Sequence, residues 1–169
     1  LFSRGVNVRI QSLLAATVVF VLMAPSGAAL TTTPKTAVHH SPEEAMIADM
    51  NRERASHGLA PLRLNVQLAL AAGDRANDMV AKHYFSHVAP DGRQPWYWIE
   101  KRGYDYTEVG ENLAVGYRGA AVVDGWMHSP EHRENVLKPE FNEVGIAILA
   151  QSPAKAFRGP LVVALYGTR

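Results

Sequence analysis

Cysteine is absent from all 169 residues. That excludes disulfides, an iron–sulfur centre, a thiol nucleophile and a lipid-modified N-terminal cysteine, so stability must rest on core packing. Basic clusters are missing too. Lys plus Arg number 17 against 16 acids, and without a run of neighbouring cations there is no footprint for a phosphate backbone, so nucleic acid is not an expected partner. No Gly-x-Ser-x-Gly elbow, His-Glu-x-x-His pair or phosphate-cradling glycine loop occurs. The glycines of Gly110-Glu111-Asn112-Leu113-Ala114-Val115-Gly116 follow no nucleotide pattern.

Long apolar runs are also scarce, and the one that matters lies near the N-terminus. Arg4 and Arg9 precede an apolar stretch from Leu13 to Ala24, followed by Pro25 and the small residues Ser26-Gly27-Ala28-Ala29. This is the layout of a secretory signal peptide, whose apolar core is about 7–15 residues against about 20 for a membrane span. Residues 1–29 are read as that signal, cleaved after Ala28 or Ala29, which leaves no stable membrane span; an uncleaved anchor is the alternative. Without Arg4 and Arg9 the basic count falls to 15 against 16 acids, a net charge of −1. Residues 30–40 lack an apolar period and read as a flexible linker. Residues 41–169 form one domain with no repeat, large enough for a core of its own.

Within that domain Ser41-Pro42-Glu43-Glu44 signals a helix start, with a serine cap, a proline at the first helical position and a capping-box glutamate. Met46, Ile47, Met50 and Arg54 follow at helical spacing as far as His57-Gly58. Asn65 caps a second helix, whose stripe is Leu68, Ala72, Ala76, Met79 and His83, the last packed or half-buried. Gln94 to Lys101 reads as a short helix, Tyr104 to Val109 as a strand or extended arm, and Ala120 to Met127 as a helix. Glu143 to Ala150 and Pro160 to Tyr166 read as strands joined by a hairpin loop. Helices first and paired strands last give an α+β class with helices packed on an antiparallel sheet.

Residues able to bind metal or move protons gather in Phe85-Ser86-His87, Gly110-Glu111-Asn112-Leu113-Ala114 and the stretch Trp126 to Leu137, each placed at the end or bend of an element. His83/His87 and His128/His132 are both i, i+4 pairs, a spacing that can hold one metal on a helical face. Here, however, His87 lies at a helix end and Ser129-Pro130 starts a new helix between His128 and His132. The bland alternatives are local: Glu111 accepting amides at a turn, Asn112 taking a left-handed conformation, Ser129 as an N-cap, Arg133 in an ion pair, Asn135 on a terminal carbonyl. Trp96, Trp98 and Trp126 read as core.

In order and spacing these three segments resemble the CAP superfamily, also called SCP-like, from about Pro42 to Gly167. The resemblance implies a three-layer α–β–α sandwich with a small antiparallel sheet. It also implies a central cleft in which two histidines and two glutamates take a divalent metal, usually zinc, in some members. Matched by motif, His87, Glu111 and His132 are the implied metal residues, types that suit zinc. Ser129 stands where the family carries its second glutamate, with Glu131 nearby, and these five residues make up the implied cleft. The expected role is a secreted, non-catalytic extracytoplasmic binding module for a lipid, peptide, cell-wall component or protein. The alternative is a zinc-assisted hydrolase of peptide or cell-wall polymer.

Overall fold

The computed structural model describes residues 40–169; the signal segment and nearly all of the linker lie outside them. The first helix, α1 (Pro42–Ser56), begins as the sequence dictates. The Ser41 hydroxyl accepts the Glu44 amide at 3.2 Å, and the Glu44 carboxylate accepts the Ser41 amide at 2.9 Å. These reciprocal bonds satisfy two amides that a helix start leaves free. A two-residue strand, β1 (Arg63–Leu64), precedes α2 (Val66–Ala81), which Asn65 caps through the Leu68 amide at 3.1 Å. There follow α3 (Trp96–Lys101), β2 (Glu108–Val115), α4 (Ala120–Met127), α5 (Pro130–Leu137), β3 (Glu143–Leu149) and β4 (Leu161–Thr168).

The four strands lie in the order β1-β3-β4-β2. β4 is antiparallel to both β3 and β2, while the short β1 runs parallel to β3. The sheet is therefore mixed, α+β in class, with its antiparallel part formed by β2, β3 and β4. Central β4 explains its own composition. Leu161, Val163 and Leu165 enter one core and Val162, Ala164 and Tyr166 the other, so both faces are apolar and the run is continuous. One core is closed by α1, α4 and α5 (Met46, Met50, Val122, Trp126, Val136), the other by α2 and α3 (Leu68, Ala72, Met79, Trp98, Ile99). Three layers result.

Two departures from the sequence reading bear on the site. Gly110 to Ala114, expected at a bend, forms the middle of β2. The α2 helix ends at Ala81, and His83 is exposed with a left-handed backbone (φ 57°). There the Tyr84 amide bonds the Met79 carbonyl at 3.1 Å and the His83 amide the Val80 carbonyl at 3.4 Å. Glycine usually occupies this position of a helix-closing turn.

Candidate functional site

The site starts with a charge that the α2 stripe should not tolerate alone. Arg75 faces the core among Ala71, Ala72, Ala76 and Met79 and is fully buried. A buried cation is costly unless paired and hydrogen-bonded, and Arg75 is both. Its Nε donates to Glu111 Oε2 at 2.9 Å, and one terminal nitrogen donates to the carbonyls of Ser86 and His87 at 2.6 and 2.7 Å. The other donates to the Tyr84 hydroxyl, which itself donates to Asp78 at 2.7 Å. The guanidinium also lies over the Trp98 ring, 4.5 Å from its centroid, an arrangement that offsets part of the desolvation.

Glu111, brought to the same point by β2, is buried and spends both oxygens. Oε2 takes Arg75; Oε1 lies 2.7 Å from His87 Nδ1. A carboxylate can only accept, so the neutral His87 ring carries its proton on Nδ1 and keeps the Nε2 lone pair. That bond, followed by Glu111's charge and against partial burial, holds the His87 pKa above the usual imidazole value. The His87 side chain remains 57% exposed.

His132, on the first turn of α5, has its Nδ1 2.7 Å from Ser129 Oγ. Ser129 does occupy the N-cap, yet its hydroxyl caps no amide and bonds the imidazole instead. Burial, reinforced by the charge of nearby His87, pushes the His132 pKa below the usual value, with Glu131 opposing. Glu131 also raises His87, so an exposed carboxylate acts on both rings through space. The fold thus joins His87 to Glu111 directly and Ser129 to His132 directly, and puts the two pairs within electrostatic reach. His128 is elsewhere: it ends α4, exposed, with Nδ1 on the Asp124 carbonyl at 2.8 Å.

Beside this polar cluster lies a cavity of about 240 Å³ walled by Phe85, Leu113, Ala114, Val115, Tyr117, Val122, Gly125, Trp126, Ser129 and His132. Tyr117 and Val122 also line a neighbouring apolar cavity of about 320 Å³ that reaches Met46, Ile148 and Val162. Glu111 touches neither; it borders a small recess of about 50 Å³ with Trp96 and Ile99. Trp96 is 45% exposed and not core, whereas Trp98 and Trp126 are buried.

As a direct metal ligand Glu111 is poorly placed, because its side chain is buried and its two oxygens face the Arg75 cation and the His87 ring. Among the described residues no three histidine, aspartate or glutamate side chains come together as a metal-holding group. What the donor set leaves is His87 Nε2 and His132 Nε2, neither of which takes a hydrogen bond among the described residues.

The neighbouring polar residues are structural in ways the sequence only half indicated. Asn112, in strand conformation rather than left-handed, is buried and donates to the His132 carbonyl at 2.9 Å and the Tyr166 hydroxyl at 3.2 Å. Asn135 donates to the Glu111 carbonyl at 3.2 Å and to Asn112 Oδ1 at 2.9 Å, and Trp126 Nε1 donates to the Leu113 carbonyl at 3.1 Å. Together they cover the outer edge of β2, which would otherwise invite pairing. Gly110 leaves room for them: a Cβ there would lie 2.7 Å from Asn135 Oδ1 and 3.0 Å from the Phe141 ring, so a larger residue would displace these side chains. Arg133, expected in an ion pair, is exposed and makes none among the described residues. Arg75, Tyr84 and Trp98 were not site candidates from sequence. The available signal was an arginine on an otherwise apolar helix face, which must find a buried partner.

Comparison with known proteins agrees with this architecture. Residues 47–166 match the family model described as CAP, the cysteine-rich secretory protein family. Among curated proteins, the uncharacterized protein YkwD of Bacillus subtilis is 35% identical over 105 residues, covering 62% of this chain and 41% of that protein. The uncharacterized membrane protein YlbC of the same species is 34% identical over 107 residues, covering 62% of this chain and 31% of that protein. The matched region is thus less than half the length of either relative. Among solved structures, an outer surface protein from Borrelia burgdorferi has a TM-score of 0.67 at 22% identity, covering 77% of this chain and 96% of that one. An extracellular SCP-domain protein from Bacillus anthracis also has a TM-score of 0.67, at 23% identity, covering 76% and 40%. At these identities the likeness concerns the fold. On the family-model match across residues 47–166, this cysteine-free chain belongs to the CAP family.

Proposed function

We propose that the domain is a non-catalytic binding module working outside the cytoplasm, and that its ligand enters the cleft of His87, His132 and Ser129 beside the 240 Å³ cavity. One observation carries the reading: the buried carboxylate of the cleft, Glu111, is held on one oxygen by Arg75 and on the other by His87. A general base must be within hydrogen-bond reach of the proton it removes and have a lone pair to accept it. Glu111 is buried, turns its oxygens to Arg75 and His87 and lines no part of the 240 Å³ cavity, and Ser129 replaces the carboxylate that the family pattern would supply. Glu131 is exposed and has no hydrogen bond in the cleft. The site can offer imidazole nitrogens, a hydroxyl and an apolar wall, a set suited to holding a ligand.

A divalent metal, zinc first, belongs to this reading as a ligand of His87 and His132 through Nε2, with Glu111 orienting His87 through Nδ1. A carboxylate behind a metal-binding imidazole is a common arrangement. Export is part of the proposal. It is supported by the N-terminal signal pattern and by matched structures named as extracellular and outer surface proteins. The YlbC relative is named a membrane protein, although no helix among the described residues is long and apolar enough to cross a membrane.

The test pairs binding with turnover. Isothermal titration with Zn²⁺ is expected to give a site that His87→Ala plus His132→Ala abolishes without changing the circular-dichroism spectrum. Peptide and cell-wall polymer incubated with zinc-loaded protein are expected to remain intact. Zinc-dependent hydrolysis that disappears in Glu131→Gln, with metal retained, would establish the hydrolase instead.

A further inference from the structure

We infer that Arg75, which lies behind the cleft and touches no ligand-facing atom, is the positioning residue of the site: one cation fixes both ends of the His87–Glu111 hydrogen bond. This rests on the cleft reading above and adds to it a residue outside the cleft.

The geometry is specific. Arg75 Nε holds the acceptor, Glu111 Oε2, at 2.9 Å, while a terminal nitrogen holds the backbone of the donor's own segment through Ser86 O at 2.6 Å and His87 O at 2.7 Å. The backbone that carries the ring and the carboxylate that the ring meets therefore cannot shift apart without breaking a buried bond to the same guanidinium. The guanidinium itself is fixed from two further sides, by the Trp98 ring at 4.5 Å and by Tyr84, whose proton is directed to Asp78. Arg75 is fully buried, so these bonds are made without competing water. A fork of coplanar donors is needed to reach carboxylate and carbonyls at once; a lysine ammonium, a point charge with three donors, cannot reproduce it. The result is a His87 ring whose Nδ1 proton is fixed on Glu111 and whose Nε2 is presented for use. A residue kept only for packing would fill this space without aligning three donors on one histidine's surroundings.

The readout is the tautomer of His87, taken from long-range proton–nitrogen spectra of nitrogen-15-labelled protein at a pH where the ring is neutral. Wild type is expected to show the Nδ1–H form. Arg75→Lys, which keeps the charge, is expected to give a tautomer mixture and to weaken Zn²⁺ binding about tenfold or more, the usual effect of losing such support. Arg75→Lys with the wild-type tautomer would overturn the inference. Should Arg75→Lys fail to fold, Glu111→Gln is compared with Glu111→Gln plus Arg75→Met, in which both buried charges are removed together. Faster amide exchange at Ser86–Val88 in the double variant alone supports the assignment, and equal exchange in the two variants refutes it. The tautomer and exchange arms need no ligand, so wild-type protein that binds no zinc would count against the cleft reading while leaving Arg75 fully tested.

Discussion

Gly145 in β3 gives the sharpest test of how α2, the helix that carries Arg75, is seated. A Cβ built there would fall 2.0 Å from the Ala69 nitrogen, 2.1 Å from the Leu68 carbonyl carbon and 2.6 Å from the Leu68 oxygen. Ordinary contact is about 3.5–4.0 Å, so Gly145→Ala requires the start of α2 to lift by about 1.5 Å. Overpacking costs about 1–3 kcal/mol. Because the obstacles here are backbone atoms with no rotamer to escape into, the upper end, about 3 kcal/mol, is expected. With an unfolding entropy of about 2.1 cal/mol/K per residue over a domain of about 130 residues, that is a fall in Tm of about 11 °C. Gly73 is the control, since it lies within α2 and a Cβ there meets nothing within 4 Å. Gly73→Ala should raise stability by about 0.5–1 kcal/mol by removing glycine's excess unfolded entropy. Thermal unfolding followed by circular dichroism reads both. A Gly145→Ala melt within about 2 °C of wild type would show that α2 does not rest on β3 as described, and a Gly73→Ala melt below wild type would show that the space at Gly73 is not open.

Three further outcomes follow from separate parts of the structure. In a proton NMR titration His87 should titrate above, and His132 below, the ordinary imidazole value of about 6.5, the first through its bond to Glu111 and the second through burial. By linkage, the His87 contribution to stability is complete below that value and is lost as pH rises through its raised folded pKa. The His132 contribution is complete above it and is lost as pH falls through its lowered one; coincident titration of the two rings would contradict the arrangement. His83→Gly should stabilise by about 1 kcal/mol, since a left-handed residue with a side chain costs about 1–2 kcal/mol, and an unchanged or lower Tm would count against that strain. Intact-mass analysis of exported protein should find a chain beginning at Ala29 or Leu30, and protein retaining Arg4 and Arg9 would contradict cleavage.

Much of the framework was legible because local signals and tertiary demands agree. The Ser41–Glu44 box, the Asn65 cap and the unbroken apolar run of β4 each point to one element, and each element formed. Gly110 and Asn112 misled because their propensities are those of turns. Their real reasons are tertiary: the space at Gly110 is filled by Asn135 and Phe141, and the Asn112 amide serves the His132 carbonyl and the Tyr166 hydroxyl. Context of this kind overrides strand propensity. The end of α2 was missed for a related reason. His83 continues the apolar period, and nothing local marks it as the left-handed closing residue that glycine would normally announce. For the candidate site, motif order is what links His87, Glu111, Ser129 and His132, since spacing alone does not bring β2 and α5 to the loop after α2. Arg75 stayed hidden, because an arginine on a helix reads as solvated until its face is seen to be apolar throughout.

Central to the proposed function, Glu111 orients His87 and leaves ligand contact to the two imidazoles. Zn²⁺ titration of nitrogen-15-histidine-labelled protein tests it most directly. Nε2 of His87 and of His132 are expected to shift together on saturation, while the His87 Nδ1 proton stays bonded to Glu111. Shifts at neither ring, or a His87 that binds zinc through Nδ1 with its Glu111 bond broken, would contradict it.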